Sequence, residues 1–266
     1  MTGAAFFDLD KTVIAKSSTL AFGKPFYQGG LVNRRAVLKS TYAQFVYLVA
    51  GADADQMDRM RDYLKHLCTG WDVAQVKQIV DETLHDLIDP LVYDEAVDLI
   101  EEHKANGRRV VIVSSSGEEV VGPIGEMVGA DEVVATRMVV EDGKYTGDIE
   151  FYAYGTGKAD AIRELAERHG WDLADCWAYS DSFTDLPMLE VVGHPVAVNP
   201  DKALRRVSVE RDWPIREFRR PVSLASRLAS RAPKPSPNVL AGAAVGVAGA
   251  ALAVRYYRRR TRESQD

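Results

Sequence analysis

Two carboxylates placed two residues apart are the first feature that could do chemistry. Asp8 and Asp10 lie in the segment DLDKT, directly behind the apolar run Ala4-Ala5-Phe6-Phe7. In an extended strand, residues i and i+2 share a face, so both carboxylates emerge together where such a strand ends. A pair of this kind can hold a hard divalent cation. It can also divide labour, one carboxylate attacking phosphorus while the other, protonated, donates to the leaving oxygen. The same pair alone also fits a solvated strand end or a helix cap.

Three further segments supply complementary groups. In VIVSSSGEE, residues Val111 to Glu119, a buried-strand run leads into a helix start. The Ser114 hydroxyl can donate to a phosphoryl oxygen, and the amides of Ser115 and Ser116 point the same way, toward the positive end of the coming helix. Ser116 is also the expected N-cap of that helix. Lys158, in GTGKADAIREL, can neutralise charge on a phosphoryl group in flight. In YSDSFTDLPML, Asp181 and Asp185 lie four apart on one loop. Asp181 is placed to complete a metal site. Asp185 is placed to orient Lys158 or a metal-bound water, with a helix N-cap as its competing assignment.

The elements that must position these groups alternate in type. Apolar runs at Ala4–Phe7, Arg109–Val113, Val133–Thr136, Cys176–Tyr179 and Pro195–Val198 read as strands. Met138 to Phe151 reads as a hairpin turning at Asp142-Gly143. Helical spacing covers Val92–Ala105, the segment from about Gly117, and Ala159–His169. Strands alternating with helices imply an α/β fold built on a doubly wound parallel sheet. Between the first strand and the rest lies a block with helical spacing only, at Leu31–Ala50, Ala54–Leu67 and Val73–Ile88. The expected division is an α/β core from residues 1–14 and 90–218, with an inserted helical cap at 15–89. A proline-rich basic linker at 219–238, a candidate membrane helix at 239–257 and a basic tail at 258–266 follow.

Charge is distributed unevenly. The chain of 266 residues carries a net −6. Ten of its 33 Lys and Arg but only two of its 39 acids lie from Arg219 onward, leaving a body of −14 and a tail of +8. An acidic body argues against nucleic acid as a partner. Cys68 and Cys176 match no metal spacing or disulfide framework, which points to a reducing, cytoplasmic setting with Cys176 a packed thiol. Met1–Phe7 lacks the basic start of a signal peptide. The uncharged run Val239–Val254 holds 16 residues, about 24 Å as a helix against a hydrocarbon core of about 30 Å. Arg255, Tyr256 and Tyr257 could extend it, so the tail is a candidate for spanning or lying on a membrane.

Taken together, DLDKT, the VIVSSS serine, Lys158 and YSDSFTD fall in order, each at a strand end. In this the chain resembles the haloacid dehalogenase superfamily, and within it the phosphoserine-phosphatase-like subfamily IB with its helical cap. The likeness runs from about Ala4 to Phe218 and includes HPVAVNPDKALRR and WPIREF. It implies a phosphomonoester hydrolase with Asp8 as nucleophile and Asp10 as general acid and then base. Ser114, Ser115 and Lys158 would hold the phosphoryl group. Mg²⁺ would be held by Asp8, the main-chain carbonyl of Asp10, and Asp181, with Asp185 and Thr12 as supports behind them. The implied partner is a small phosphorylated substrate. The acid at Asp10 is what separates the family's phosphatases from its dehalogenases. An Asp10-Lys11-Thr12 frame also resembles the phosphorylated motif of P-type ATPases, but Val13 stands where those have glycine, and they need many membrane spans.

Departures from the phosphoserine phosphatases bear on the substrate. Ser17 stands where they carry the acid that reads the substrate ammonium group, so phosphoserine is expected to be a poor substrate. Ser115 and Ser116 replace glycines, and Ser180 and Thr184 stand where glycine and asparagine are common. Two other readings use the same features: a membrane-tethered binding or regulatory protein with little turnover, and a phosphotransferase passing the group to an alcohol.

Overall fold

The computed structural model describes residues 3–31, 62, 65–224 and 226–227. Every element below belongs to the compact unit formed by residues 1–224. Strand β1 (Ala4–Phe7) is buried at all four positions. It pairs in parallel with β2 (Arg109–Gly117) on one side and β5 (Trp177–Ser180) on the other. A strand with a parallel neighbour on each side is covered on both faces, which is why its sequence is continuously apolar rather than alternating. β6 (His194–Val198) and the two-residue β7 (Ile215–Arg216) extend one flank. β3 (Glu132–Glu141) and β4 (Lys144–Phe151) extend the other, giving the order β4-β3-β2-β1-β5-β6-β7.

Successive residues of the strands feed two separate cores. Ala5, Phe7, Ile112 and Tyr179 face α3 (Val73–Ile88), α4 (Asp94–Ala105) and α5 (Glu118–Val128). Ala4, Phe6, Val111 and Ala178 face α6 (Thr156–His169), α7 (Leu186–Glu190) and α8 (Lys202–Glu210). The fold is therefore α/β on a mostly parallel seven-stranded sheet. From β1 the chain first winds outward through β2 and β3, then returns to the other side of β1 at β5. This reversal makes the β1–β5 boundary the switch point, where the carboxyl ends of the strands open a crevice.

Two sheet assignments differ from the sequence reading. Val133–Thr136 and the first arm of the hairpin are one strand, β3, parallel to β2 in its first half and antiparallel to β4 in its second. The two partners lie on opposite edges of β3, and a register shift between Arg137 and Met138 falls just past the last β2 pairing at Thr136. β7 was not expected as a strand, since two residues carry no period. The hairpin turn falls at Asp142-Gly143, with φ of 49° and 76°, the left-handed pair that a tight hairpin requires.

Helix α3 shows why its period was legible. Asp72 caps it by accepting from Gln75 N–H at 2.9 Å, and its stripe Val76, Val80, Leu84 and Ile88 is buried in the first core. The segment before it adds main-chain bonds to the hairpin, with Gly70 N–H donating to Tyr145 O at 2.8 Å and Val73 N–H to Gly143 O at 3.0 Å. Short helices α1 (Ser18–Ala21) and α2 (Gly23–Gln28) follow the first motif. The expected helices at Leu31–Ala50 and Ala54–Leu67 fall mostly outside the described residues, as do positions 228–238 of the linker and all of 239–257. The first residues of the expected linker are bonded to the α/β unit, with Val222 N–H donating to Val92 O at 2.8 Å and Ser223 Oγ to Asp89 Oδ2 at 2.6 Å. No helix among the described residues is long and apolar enough to cross a membrane.

Candidate active site

Asp8 is fixed by the sheet. Its N–H donates to Tyr179 O at 2.9 Å, carrying the β1–β5 ladder one residue past the strand end. The chain then folds into a tight loop in which Thr12, Val13 and Ile14 N–H all donate to Leu9 O, at 3.3, 2.9 and 3.1 Å. Lys11 takes a left-handed φ of 62° inside that loop. Asp10 turns its carboxylate to the start of α1, where Oδ1 accepts from Ser18 N–H at 2.9 Å.

Lys158 comes from the first turn of α6, not from the loop before it. A side chain at Gly157 would strike the Tyr152 carbonyl, so glycine there lets the helix start close in and carries Lys158 to depth. Only 2% exposed, Lys158 Nζ donates to Asp8 Oδ1 at 2.6 Å and to Asp185 Oδ2 at 2.8 Å. Ser180 Oγ donates to the same Asp185 oxygen at 2.7 Å. Asp185 occupies the N-cap position of α7 but makes no capping bond with its side chain. Its carboxylate is committed to Lys158.

Ser114 is buried, and its Oγ accepts from Ser116 N–H at 3.2 Å. The expected capping role of Ser116 does not hold: Gly117 is the N-cap of α5, without a side-chain bond. Ser116 Oγ lies instead 2.9 Å from Ser18 Oγ and 3.3 Å from Thr19 Oγ1. Strand β2 runs on through Gly117, which keeps Ser116 extended and turns its hydroxyl toward α1. Ser115 O accepts from Thr136 Oγ1 at 2.8 Å, so the second-motif loop is braced from β3.

Asp181 sits at the end of β5, with its main-chain oxygen accepting from Asp201 N–H at 2.8 Å. Asp201 Oδ2 accepts from Phe183 N–H at 2.8 Å, and Oδ1 from Leu204 N–H at 2.8 Å as the cap of α8. Sequence reasoning missed Ser18, Asp201 and the roles of Ser116 and Ser180. Asp201 alone carried a local signal, an Asp opening the helix KALRR. The others act across long sequence separations that no spacing reveals.

The electrostatics follow from burial. Burial raises the Asp8 carboxyl to about 7 despite the opposing pull of Lys158, with Asp185 and Asp10 adding to the rise. Asp10 is raised by burial, with the amide and hydroxyl of Ser18 and the hydroxyl of Ser17 pulling the other way. Asp181 is raised well above its ordinary value by burial and then by Asp8. Burial pushes Lys158 down, but Asp185 and Asp8 outweigh it and hold the ammonium above its usual range.

A hard divalent cation fits this donor set. Asp8 and Asp181 are both buried, and Asp8 adds to the raised proton affinity of Asp181, a repulsion that Mg²⁺ would relieve. Thr12 Oγ1, in the loop that follows Asp8 and Asp10, is buried without a hydrogen-bond partner. Among the described residues, no three His, Cys, Asp or Glu side chains converge as a metal cage. Because Ser18 holds the Asp10 carboxylate, the contribution of Asp10 to a cation would come from its main-chain carbonyl.

Comparison with known proteins identifies the family. Residues 5–190 match the model of the haloacid dehalogenase-like hydrolases. A Streptomyces azureus protein named for inhibition of morphological differentiation is 65% identical over 97% of this chain and 94% of its own. A Mycobacterium tuberculosis protein named as a probable phosphatase is 63% identical over 95% of this chain and 88% of its own. Among solved structures, a phospho-aspartyl intermediate analogue of phosphoserine phosphatase shares the fold, with a TM-score of 0.61 and 21% identity over 86% of this chain and 98% of that one. The chain belongs to the haloacid dehalogenase-like hydrolases, as a phosphatase of the phosphoserine-phosphatase-like kind.

Proposed function

We propose that the protein hydrolyses a small phosphomonoester in two steps through a phosphoryl group carried on Asp8. The observation that supports this most directly is Lys158, buried and bonded to both Asp8 and Asp185 at 2.6 and 2.8 Å. A buried ammonium held against a strand-end carboxylate serves a group that gathers negative charge during reaction. Asp8 attacks phosphorus while Asp10 donates a proton to the leaving alcohol oxygen, so one P–O bond forms as the other breaks. Asp10, now ionised, accepts a proton from water as that water attacks the aspartyl phosphate, releasing phosphate and restoring Asp8. The raised carboxyl of Asp10 suits the first donation.

Ser114 donates its hydroxyl to a phosphoryl oxygen, with the Ser115 amide beside it, and Lys158 neutralises the equatorial charge. Asp185 and Ser180 keep the ammonium from swinging away. Mg²⁺ would be held by Asp8, Asp181 and the Asp10 carbonyl, and when bound it would screen the repulsion between phosphate and carboxylate. Ser17, at the place of the acid that would read a substrate ammonium group, directs its hydroxyl to Asp10 instead. That supports a substrate other than phosphoserine. The experiment is rapid quench with labelled substrate in Mg²⁺. An acid-stable, hydroxylamine-labile phosphoprotein formed at a kinetically competent rate is the expected result, and turnover without one would overturn the two-step route.

A further inference from the structure

The loop that carries Asp8 and Asp10 also carries a lysine in an unfavourable backbone conformation. Among the described residues the non-glycines with positive φ are Lys11, Asp142, Asn199 and Asp212. Asp and Asn tolerate the left-handed region because their short polar side chains bond locally; a lysine has no such relief. The fan of three amides onto Leu9 O imposes this conformation whatever the residue, and glycine would adopt it freely. Strain kept at a ligand-facing loop is worth reading for function.

The side chain explains what the backbone does not. Lys11 Nζ lies 3.9 Å from Asp181 Oδ2, and the Lys11 side chain is 42% exposed. That distance exceeds hydrogen-bond reach, so the ammonium keeps its donors while sitting at the rim of the buried carboxylates. Lys158 is buried against Asp8 and Asp185, whereas Lys11 stands half-exposed beside Asp181. A cation bound at Asp181 would repel Lys11 toward a bound substrate.

The surrounding sequence has the same sign. From Lys11 to Leu31 the chain holds three lysines and no Asp or Glu. At the acid frequency of the whole chain, about three acids would fall there. Within it, Ser17 leaves no carboxylate to read an amine. An acid-free stretch directly behind the Asp8 and Asp10 loop, in a body carrying −14, is a local inversion of charge, and such inversions concentrate ligands of the opposite sign.

From these observations we infer that the substrate carries a second anionic group, a carboxylate or a further phosphate, on its alcohol portion, and that Lys11 binds it. The inference rests on the phosphatase reading above and adds the class of substrate. Lys11 discriminates among substrates; Lys158 acts on the phosphoryl group common to all of them.

The test is kcat/KM over glycerol 1-phosphate, O-phosphoethanolamine, 3-phosphoglycerate and fructose 1,6-bisphosphate, in the full chain and in Lys11→Gln and Lys11→Gly. In the unmodified protein at least one anionic ester should exceed the neutral and cationic ones. That lead should shrink about tenfold or more in both variants, the range of a charge-assisted hydrogen bond. The carboxylate and bisphosphate arms distinguish the two sources of anion. Lys11→Gly should melt no lower than the unmodified protein, because glycine relieves the backbone. A lead for phosphoethanolamine, or a uniform fall across all four esters in the variants, would overturn the inference; a uniform fall would place Lys11 at Asp181 or the phosphoryl group. Failure of the underlying reading is separate: it would appear as undiminished hydrolysis by Asp8→Asn.

Discussion

Tyr179 and Ser180 are neighbours on β5 whose side chains leave opposite faces of the sheet, and each enters a buried polar cluster. On the Tyr179 side the ring stacks on Phe7 at 4.4 Å, and the hydroxyl lies 2.8 Å from His103 Nε2. Arg108 Nε donates to His103 Nδ1 at 2.7 Å. A guanidinium nitrogen can only donate, so Nδ1 is unprotonated and the neutral ring donates from Nε2 to Tyr179. Both ring nitrogens are taken. On the Ser180 side three buried carboxylates, Asp8, Asp181 and Asp185, face one buried ammonium, Lys158. The first cluster is closed. The second crowds three carboxyl groups around one ammonium, so that Asp8 and Asp181 hold protons more tightly than usual, an imbalance that a cation and a phosphoryl group together would resolve. Buried polarity is therefore no mark of function by itself; imbalance of charge within it is.

If the imbalance is the functional feature, changes on the Ser180 side should act on turnover far more than on stability. Asp8→Asn should lower kcat by about 10⁴-fold or more, the scale seen when a nucleophile is removed, and leave the fold intact. Near-normal hydrolysis by a folded variant would break the comparison at its centre. Asp185→Asn removes the charge that orients Lys158 and should cost about 10- to 100-fold in kcat with KM little changed, as for other supporting residues behind a reactive group. Steady-state kinetics check this, and a change confined to KM would show that Asp185 serves binding instead.

A smaller effect tests the hydroxyl bridge between the first and second motifs. Ser116→Ala breaks the 2.9 Å contact with Ser18 Oγ and loosens the helix start whose amide holds Asp10. The expected loss is about two- to tenfold, the worth of one neutral hydrogen bond. It should fall on esters with poor leaving alcohols, which need a proton, and spare p-nitrophenyl phosphate, which does not. Equal losses on both kinds of ester would show that the bridge is merely structural.

The sequence disclosed the two clusters unequally. Asp8, Lys158, Asp181 and Asp185 were legible because each ends or opens an element whose period is written locally. β1 and β2 are continuous apolar runs, and α6 has a helical stripe. β3 reads as two pieces because its first half pairs with a parallel partner and its second with an antiparallel one, and this change of partner has no local signature. Ser116 was given a capping role by proximity to α5, whereas β2 overruns it by one residue. The link from Ser18 to Ser116 spans 98 positions. That from His103 to Tyr179 spans 76. Neither can be read without knowing that β1, β2 and β5 are adjacent.

The last prediction concerns the closed cluster and expects no effect on turnover. Burial lowers His103 from 6.5 to about 4, with Arg108 and then Arg216 adding to the fall. Below pH 6.5 the unfolded chain takes up a proton that the folded chain refuses, so this histidine's contribution is complete above 6.5 and declines as pH falls toward about 4. The span corresponds to about 3 kcal/mol, at about 1.4 kcal/mol per unit. Asp8 has the opposite sign. Its folded value of about 7 stands above the ordinary 3.8, so the folded chain binds the extra proton and gains stability as pH falls through the same window. The two clusters therefore offset one another in the metal-free protein, and the unmodified stability curve understates both. His103→Gln keeps an acceptor for Arg108 and a donor for Tyr179 but cannot titrate. Urea unfolding in EDTA at pH 7, 6, 5 and 4 should show the variant gaining about 3 kcal/mol on the unmodified protein between the ends of that series. Its kcat at pH 7 should stay within about twofold, since His103 touches nothing in the site. Parallel stability curves would mean that His103 titrates normally and that the cluster is open to water. A large loss of kcat at unchanged stability would mean that the two faces of β5 are coupled through Tyr179 and Asp8, whose N–H bonds to the Tyr179 carbonyl at 2.9 Å.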